Sequence, residues 1–296
     1  VTTPTGDHHA ISSYGYDAVV TQTGVLRALT FEGRDLVEPV AEDAMPTNGS
    51  GQLLAPWPNR VRDGRYTFDG RTYQLPLTEP SRGNASHGLV RWVSWTLVRH
   101  ESDTVELSYR LPAQSGYPWT LDLTTTWQLG VGGLSVTQSA TNRAAGPAPY
   151  ASGGHPYLVA GPGTCDRWRL DLPAATYLTV DDRLIPTGRA SFAGVLGERL
   201  EGTSLDHAVT DLVRDGDGTT TVRLVDPGTG TGTAVWMDAH HRWVQVYTSD
   251  ERAVPRGSVA VEPMTAPPDA FNSGDDLVVL EPGATFSATW GIAAVG

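Results

Sequence analysis

Six short stretches of the chain hold polar residues in places where an ordinary loop or strand does not need them. In Leu54-Ala-Pro-Trp-Pro-Asn59-Arg60-Val, two prolines stiffen a loop. The amide and guanidinium that follow could bond several oxygens at once, or could simply end a surface loop. His87 sits in Asn84-Ala-Ser-His87-Gly-Leu-Val-Arg91-Trp92, and His155 in Ser152-Gly-Gly-His155-Pro-Tyr157. Either imidazole can carry a proton near neutral pH or serve as a hydrogen-bonded structural group. Asp206 lies in Leu205-Asp206-His207. Gln245 interrupts the apolar run Trp243-Val-Gln-Val-Tyr247-Thr248. A period of two puts it opposite Val244 and Val246, facing either solvent or a site. Glu262 ends Val259-Ala-Val-Glu262 and leads into Pro263-Met-Thr-Ala-Pro-Pro-Asp269-Ala-Phe-Asn272. A carboxylate closing a buried strand tends to a raised pKa, which suits a general base. The competing reading is a structural carboxylate that accepts loop N–H groups.

The elements that must position these residues read almost entirely as strands. Trp119-Thr-Leu-Asp-Leu-Thr-Thr-Thr-Trp-Gln-Leu, Thr104-Val-Glu-Leu-Ser-Tyr-Arg-Leu and Leu134-Ser-Val-Thr-Gln-Ser-Ala-Thr alternate apolar and polar residues, the mark of half-buried strands. Turn formers separate them, among them Phe68-Asp-Gly-Arg, Asp215-Gly-Asp-Gly and the hairpin loop expected at Asp226-Pro-Gly-Thr-Gly-Thr-Gly-Thr. Helical periodicity is confined to a turn or two, with Val195-Leu-Gly-Glu-Arg-Leu the one candidate short helix. Strand patterns run from near residue 14 to the C-terminus with no polar linker. The expectation is one all-β domain over residues 1–296, a large antiparallel β-sandwich, with residues 1–13 as a loose extension.

Composition narrows the function. The net charge of −12 argues against nucleic acid as a partner, because phosphate neutralisation needs a basic surface. No run of about 18 apolar residues offers a membrane span. One cysteine, Cys165, cannot form an internal disulfide. The first residues carry no charged or apolar leader pattern. A cytoplasmic location is therefore expected, although a removed leader would look the same. His8-His9 and His240-His241 match no recognised metal-ligand spacing, so neither a metal nor a cofactor is expected. Lysine is absent, so any charged hold on a ligand must come from arginine.

Taken together and in order, Asn59-Arg60, His87-Gly88, His155-Pro156-Tyr157, Leu205-Asp206-His207, Val244-Gln245-Val246-Tyr247-Thr248 and Glu262-Pro263 followed by Pro268-Asp269-Ala270-Phe271-Asn272 resemble the aldose 1-epimerase (mutarotase) family. Asp182-Arg-Leu-Ile-Pro-Thr-Gly188 resembles that family's loop ahead of the aspartate motif, and the resemblance extends from roughly Gly24 to Ile292. It implies a large antiparallel β-sandwich with a sugar site in an open cleft on one sheet, and no metal or nucleotide. It also implies Glu262 as general base and His155 as general acid, with His87, Arg60, Asn59, Asp206 and Gln245 holding sugar hydroxyls. The expected partner is a monosaccharide, a free hexose, and the expected state a monomer or weak homodimer. An acid and a base on opposite sides of the hemiacetal suffice for ring opening and reclosure.

Two departures from the family pattern stand out. Gly154 occupies a place where many members have Asn, and Leu158-Val159-Ala160 one where many have Phe-Asn-Leu. Two alternatives keep the fold and change the function. One is an anionic hexose, phosphorylated or sulfonated, held by Arg91, Arg82 or Arg62. The other is a sugar-binding module without catalysis, against which the presence of both Glu262 and His155 argues. Arg91 itself is expected to pair at the surface. Trp57 or Trp92 could stack on a sugar face, although core packing is the commoner fate of Trp.

Overall fold

The structure, a computed structural model, describes residues 3–192 and 198–296. Two large antiparallel sheets form its body. One has nine strands, in the order Thr96–His100, Thr104–Leu111, Leu121–Gly130, Gly133–Asn142, Thr285–Val295, Gly232–Met237, Thr220–Val225, Arg169–Asp171 and Glu198–Arg199. Its central strands alternate as the sequence predicts. In Leu121–Gly130 every second residue is buried, and Gly133–Asn142 follows the same rhythm. The buried face of these strands supplies Leu121, Leu123, Trp127, Val136 and Trp290 to the main core. The loop between Thr220–Val225 and Gly232–Met237 closes a hairpin, as expected for the Gly/Thr-rich stretch.

The second sheet has eight strands. Its path runs Pro186–Ser191, Thr176–Val180, Asp206–Thr210, Trp243–Tyr247, Val259–Met264, Gly153–Gly154 and Leu53–Leu54, with Tyr157–Leu158 also paired to Val259–Met264. Val244, Val246, Val259 and Val261 point into the main core. The opposite face of the same strands therefore carries Trp243, Gln245 and Tyr247 on one strand and Ala260, Glu262 and Met264 on the next. All six residues of Val259–Met264 are nevertheless buried.

Two sequence expectations about the elements change. Residues His8–Ser13 are not a loose extension; all six pair with Tyr16–Thr21 in a four-stranded sheet. Residues 195–197 of the candidate short helix lie outside the described residues, and Glu198–Arg199 is a strand. Helix among the described residues is limited to Ala270–Ser273 and a 3-10 turn, Cys165–Arg167.

Candidate active site

Sheet register brings the first three site residues together. Glu262 lies directly across from Gln245, and Gln245 across from Ala208. Asp206, two residues along and on the same face, is the diagonal neighbour that a long side chain can reach. Gln245 Nε2 donates to Asp206 Oδ1 at 2.6 Å. Both Glu262 and Gln245 are buried.

His155 follows directly on Gly153–Gly154, the strand beside Val259–Met264. Its backbone is clamped on both sides: its N–H donates to the Gln52 carbonyl at 3.1 Å, and its carbonyl accepts from the Gly51 N–H at 2.9 Å. The imidazole stacks on Tyr157 with centroids 5.0 Å apart and meets the His87 ring edge-on at 5.2 Å. Gly49, at φ +81°, closes the other side, where a Cβ would stand 2.5 Å from His155 Cδ2. The glycine before the histidine has a similar cause. A Cβ on Gly154 would lie 2.3 Å from Trp290 Cζ2, so the indole occupies the space that a larger residue there would need.

His87 and Asn59 both adopt left-handed backbone, φ 59° and 53°, a conformation Asn and His tolerate better than most residues. The His87 N–H donates to the Asn59 carbonyl at 2.7 Å, and Arg60 pairs with Ser86 in a short two-stranded ladder. Arg60 makes a two-point ion pair with Glu79, Nε to Oε2 at 2.8 Å and an η-nitrogen to Oε1 at 3.0 Å. Arg82 binds Glu79 Oε1 as well, at 3.1 Å. Asp269 fixes the strand from behind. It accepts the Arg62 N–H at 2.9 Å and the Asn272 amide at 2.7 Å, and its own N–H donates to the Arg60 carbonyl at 2.7 Å.

All seven residues singled out from the sequence, Asn59, Arg60, His87, His155, Asp206, Gln245 and Glu262, line one cleft of about 540 Å³, within the usual range for a small-molecule site. On its floor His155 Nε2 stands 3.3 Å from Glu262 Oε1. The two groups expected to act as acid and base are thus in contact and not on opposite sides of a gap. A hemiacetal carries its hydroxyl and ring oxygen on the same carbon, so adjacent groups can serve both.

Burial dominates the electrostatics. Loss of solvent pushes Glu262 well above the ordinary carboxylate value, helped by the charge of Asp206 and only partly opposed by Arg60. Asp206 is raised for the same reason. Burial, reinforced by Arg91, lowers His155 to about 3, and His87 is also held well below its usual value. The His155–Glu262 pair therefore keeps one proton over a wide pH range. Glu262 Oε2 is buried without a partner among the described residues.

Sequence reasoning missed Glu79 and Gly49 as supports of the site, since no local pattern marks them, and it named Tyr157 only within His155-Pro156-Tyr157 without giving it a place in the cleft wall. Arg91 departs from expectation: it is half-buried, lines the cleft and makes no ion pair among the described residues. Arg62 instead pairs with Asp269, outside the cleft lining. Trp57 is core, packed on Phe271, and Trp92 is exposed outside the cleft lining. No group of three metal-ligating side chains occurs among the described residues, the two His-His pairs included.

The family model described as Aldose 1-epimerase matches residues 14–293. The chain belongs to the aldose 1-epimerase family. It is an isomerase of that class, with a sugar as substrate. An uncharacterized Escherichia coli K12 protein, YihR, is 34% identical over 94% of this chain and 87% of its own length. Galactose mutarotase of Rattus norvegicus is also 34% identical, over 53% of this chain and 44% of its own. The solved structure of an aldose epimerase homologue from C. elegans shares the fold, with a TM-score of 0.85 at 20% identity, covering 98% of this chain and 99% of that one. The aldose 1-epimerase fold thus extends over strands whose sequences have diverged widely. No described helix is long and apolar enough to cross a membrane.

Proposed function

We propose that the protein interconverts the α and β anomers of a hexose that is free at C1, by acid–base opening and reclosure of the ring. The observation that carries this reading is the His155–Glu262 contact at 3.3 Å on a buried floor, ringed by hydroxyl-bonding side chains. Transfer of the shared proton from Glu262 to His155 across that contact readies the pair; Glu262 as carboxylate then takes the proton of the C1 hydroxyl while His155 as imidazolium gives one to the ring oxygen. The C1–O5 bond breaks, the C1–O1 bond becomes a carbonyl, and the pair is left as neutral acid and neutral imidazole. Rotation about C1–C2 presents the other carbonyl face. On reclosure the C1–O5 bond re-forms, Glu262 hands its proton to O1, and the O5 hydroxyl proton goes back to His155.

Both ends of this step hold the same single proton, so the pair needs no exchange with solvent between turnovers. The burial that disfavours separated charges also makes the carboxylate a stronger base once it forms. Each group is expected to contribute about 10²–10⁴-fold, and positioning by Asn59, Arg60, His87, Asp206 and Gln245 adds to that. In solution the chain is taken to act as a monomer or weak homodimer.

Freshly dissolved α-glucose or α-galactose, followed by polarimetry, tests the reading. Wild type should shorten the equilibration in proportion to its concentration. The Glu262→Gln variant should still bind sugar by calorimetry while losing most of the acceleration. Sugar binding by wild type with no acceleration of any neutral or anionic aldose would overturn the reading in favour of a binding module.

A further inference from the structure

Arg91 differs from the other half-buried arginines. Each of those, among the described residues, donates to a carboxylate or a backbone carbonyl. Arg91 lines the cleft, and its guanidinium has no hydrogen-bond or ion-pair partner among the described residues. The guanidinium carbon lies 5.8 Å from the centroid of the Trp92 ring. The backbone is fixed, because Gln52 Nε2 donates to the Arg91 carbonyl at 3.0 Å while the Gln52 carbonyl accepts from the His155 N–H. One buried glutamine therefore ties Arg91 to the turn that holds the proposed acid.

Arg60 and Arg82 both bind Glu79, so the carboxylate whose charge acts on Arg91 is already shared by two other guanidiniums. A cation partly withdrawn from water with no carboxylate bonded to it is costly, and an anion accepting two parallel N–H bonds would offset that cost. The position also carries chemical information. Gln52 joins the Arg91 carbonyl to the His155 backbone, whereas Glu262 lies on the next strand across from Gln245, and the charge of Arg91 accordingly acts on His155 and His87. Arg91 thus lies on the His155 side of the pair. In a pyranose the ring oxygen is bonded to C1 and C5, and C5 carries C6. A proton donor aimed at that oxygen sits beside the C6 substituent.

We propose that Arg91 binds a phosphate or sulfonate carried on C6, so that the preferred substrate is an anionic hexose. This rests on the reading of the cleft as an aldose 1-epimerase site. The fork of an arginine suits a tetrahedral oxyanion, and a lysine would reproduce only the charge.

The test compares kcat/KM for anomer interconversion of glucose, glucose 6-phosphate and a 6-deoxy-6-sulfonated glucose, by NMR exchange, in wild type, Arg91→Gln and Arg91→Lys. Wild type should favour at least one anionic sugar over glucose by about 10–100-fold, and the faster of the two names the group recognised. Arg91→Gln should bring that ratio close to one, and Arg91→Lys should retain part of it. Melting temperatures of the variants report whether they fold as wild type does. A wild-type ratio at or below one, or a preference that survives Arg91→Gln in a folded variant, overturns the assignment. Failure of wild type to accelerate any of the three sugars overturns the epimerase reading beneath it, which is a different result.

Discussion

Glu262 and His155 owe their usefulness to the same burial that makes each unwelcome as a charge. The carboxyl is raised and the imidazole lowered, so one proton serves both. This has a consequence for stability. The folded value of Glu262 lies above its ordinary 4.5, so ionising it weakens the fold. Stability falls as pH rises from about 4.5 through the folded value. His155 acts in the opposite sense: folded at about 3 against an ordinary 6.5, it costs stability as pH drops through that window. Glu262→Gln removes the first effect and keeps the second. Its melting temperature minus that of wild type should therefore grow as pH rises above 4.5. A difference that stays constant with pH contradicts a buried, raised Glu262.

At the scale of elements, the Pro-Asp-Ala-Phe-Asn segment that helped mark the family has a mechanical task. Asp269, buried behind the cleft, holds the strand Arg60–Arg62 by both its carboxylate and its N–H. Asp269→Ala should lower stability by about 1–3 kcal/mol, the usual cost of leaving buried donors unpaired. Because Arg60 then shifts, KM should rise more than kcat falls. Unchanged melting and unchanged KM would show that the clasp holds nothing. The strands of the nine-stranded sheet were legible because one face is core and the other wet, which imposes alternation on Leu121–Gly130 and Gly133–Asn142. His8–Ser13, reading His-His-Ala-Ile-Ser-Ser, was not, since an edge strand with few apolar residues has no such imprint. Val259–Met264 is covered on both faces and alternates in chemistry only at Glu262. The site residues could be read from type and order. Their support could not: Glu79 is 19 residues from Arg60 and looks like any surface acid, and Arg91 looks like any surface base.

Over the whole molecule, a chain of net charge −12 builds a cleft lined by charges of both signs. Arg60, Arg82 and Arg91 line it together with Glu79, Asp206, Asp250, Glu251 and Glu262. Bulk charge therefore predicts which macromolecules the surface repels but not what the cleft receives. Seven residues from six separate stretches converge because register in one sheet fixes Asp206, Gln245 and Glu262, and loops tied by backbone hydrogen bonds carry the rest. The central claim is that this convergence moves protons at an anomeric centre. It is tested most directly by magnetisation transfer between the α and β H1 signals of an aldose at equilibrium, with wild type, Glu262→Gln and His155→Asn. The account predicts exchange that rises in proportion to wild-type concentration and falls by about 10²–10⁴-fold in each variant. Exchange no faster than in buffer, or undiminished in both variants, would contradict it.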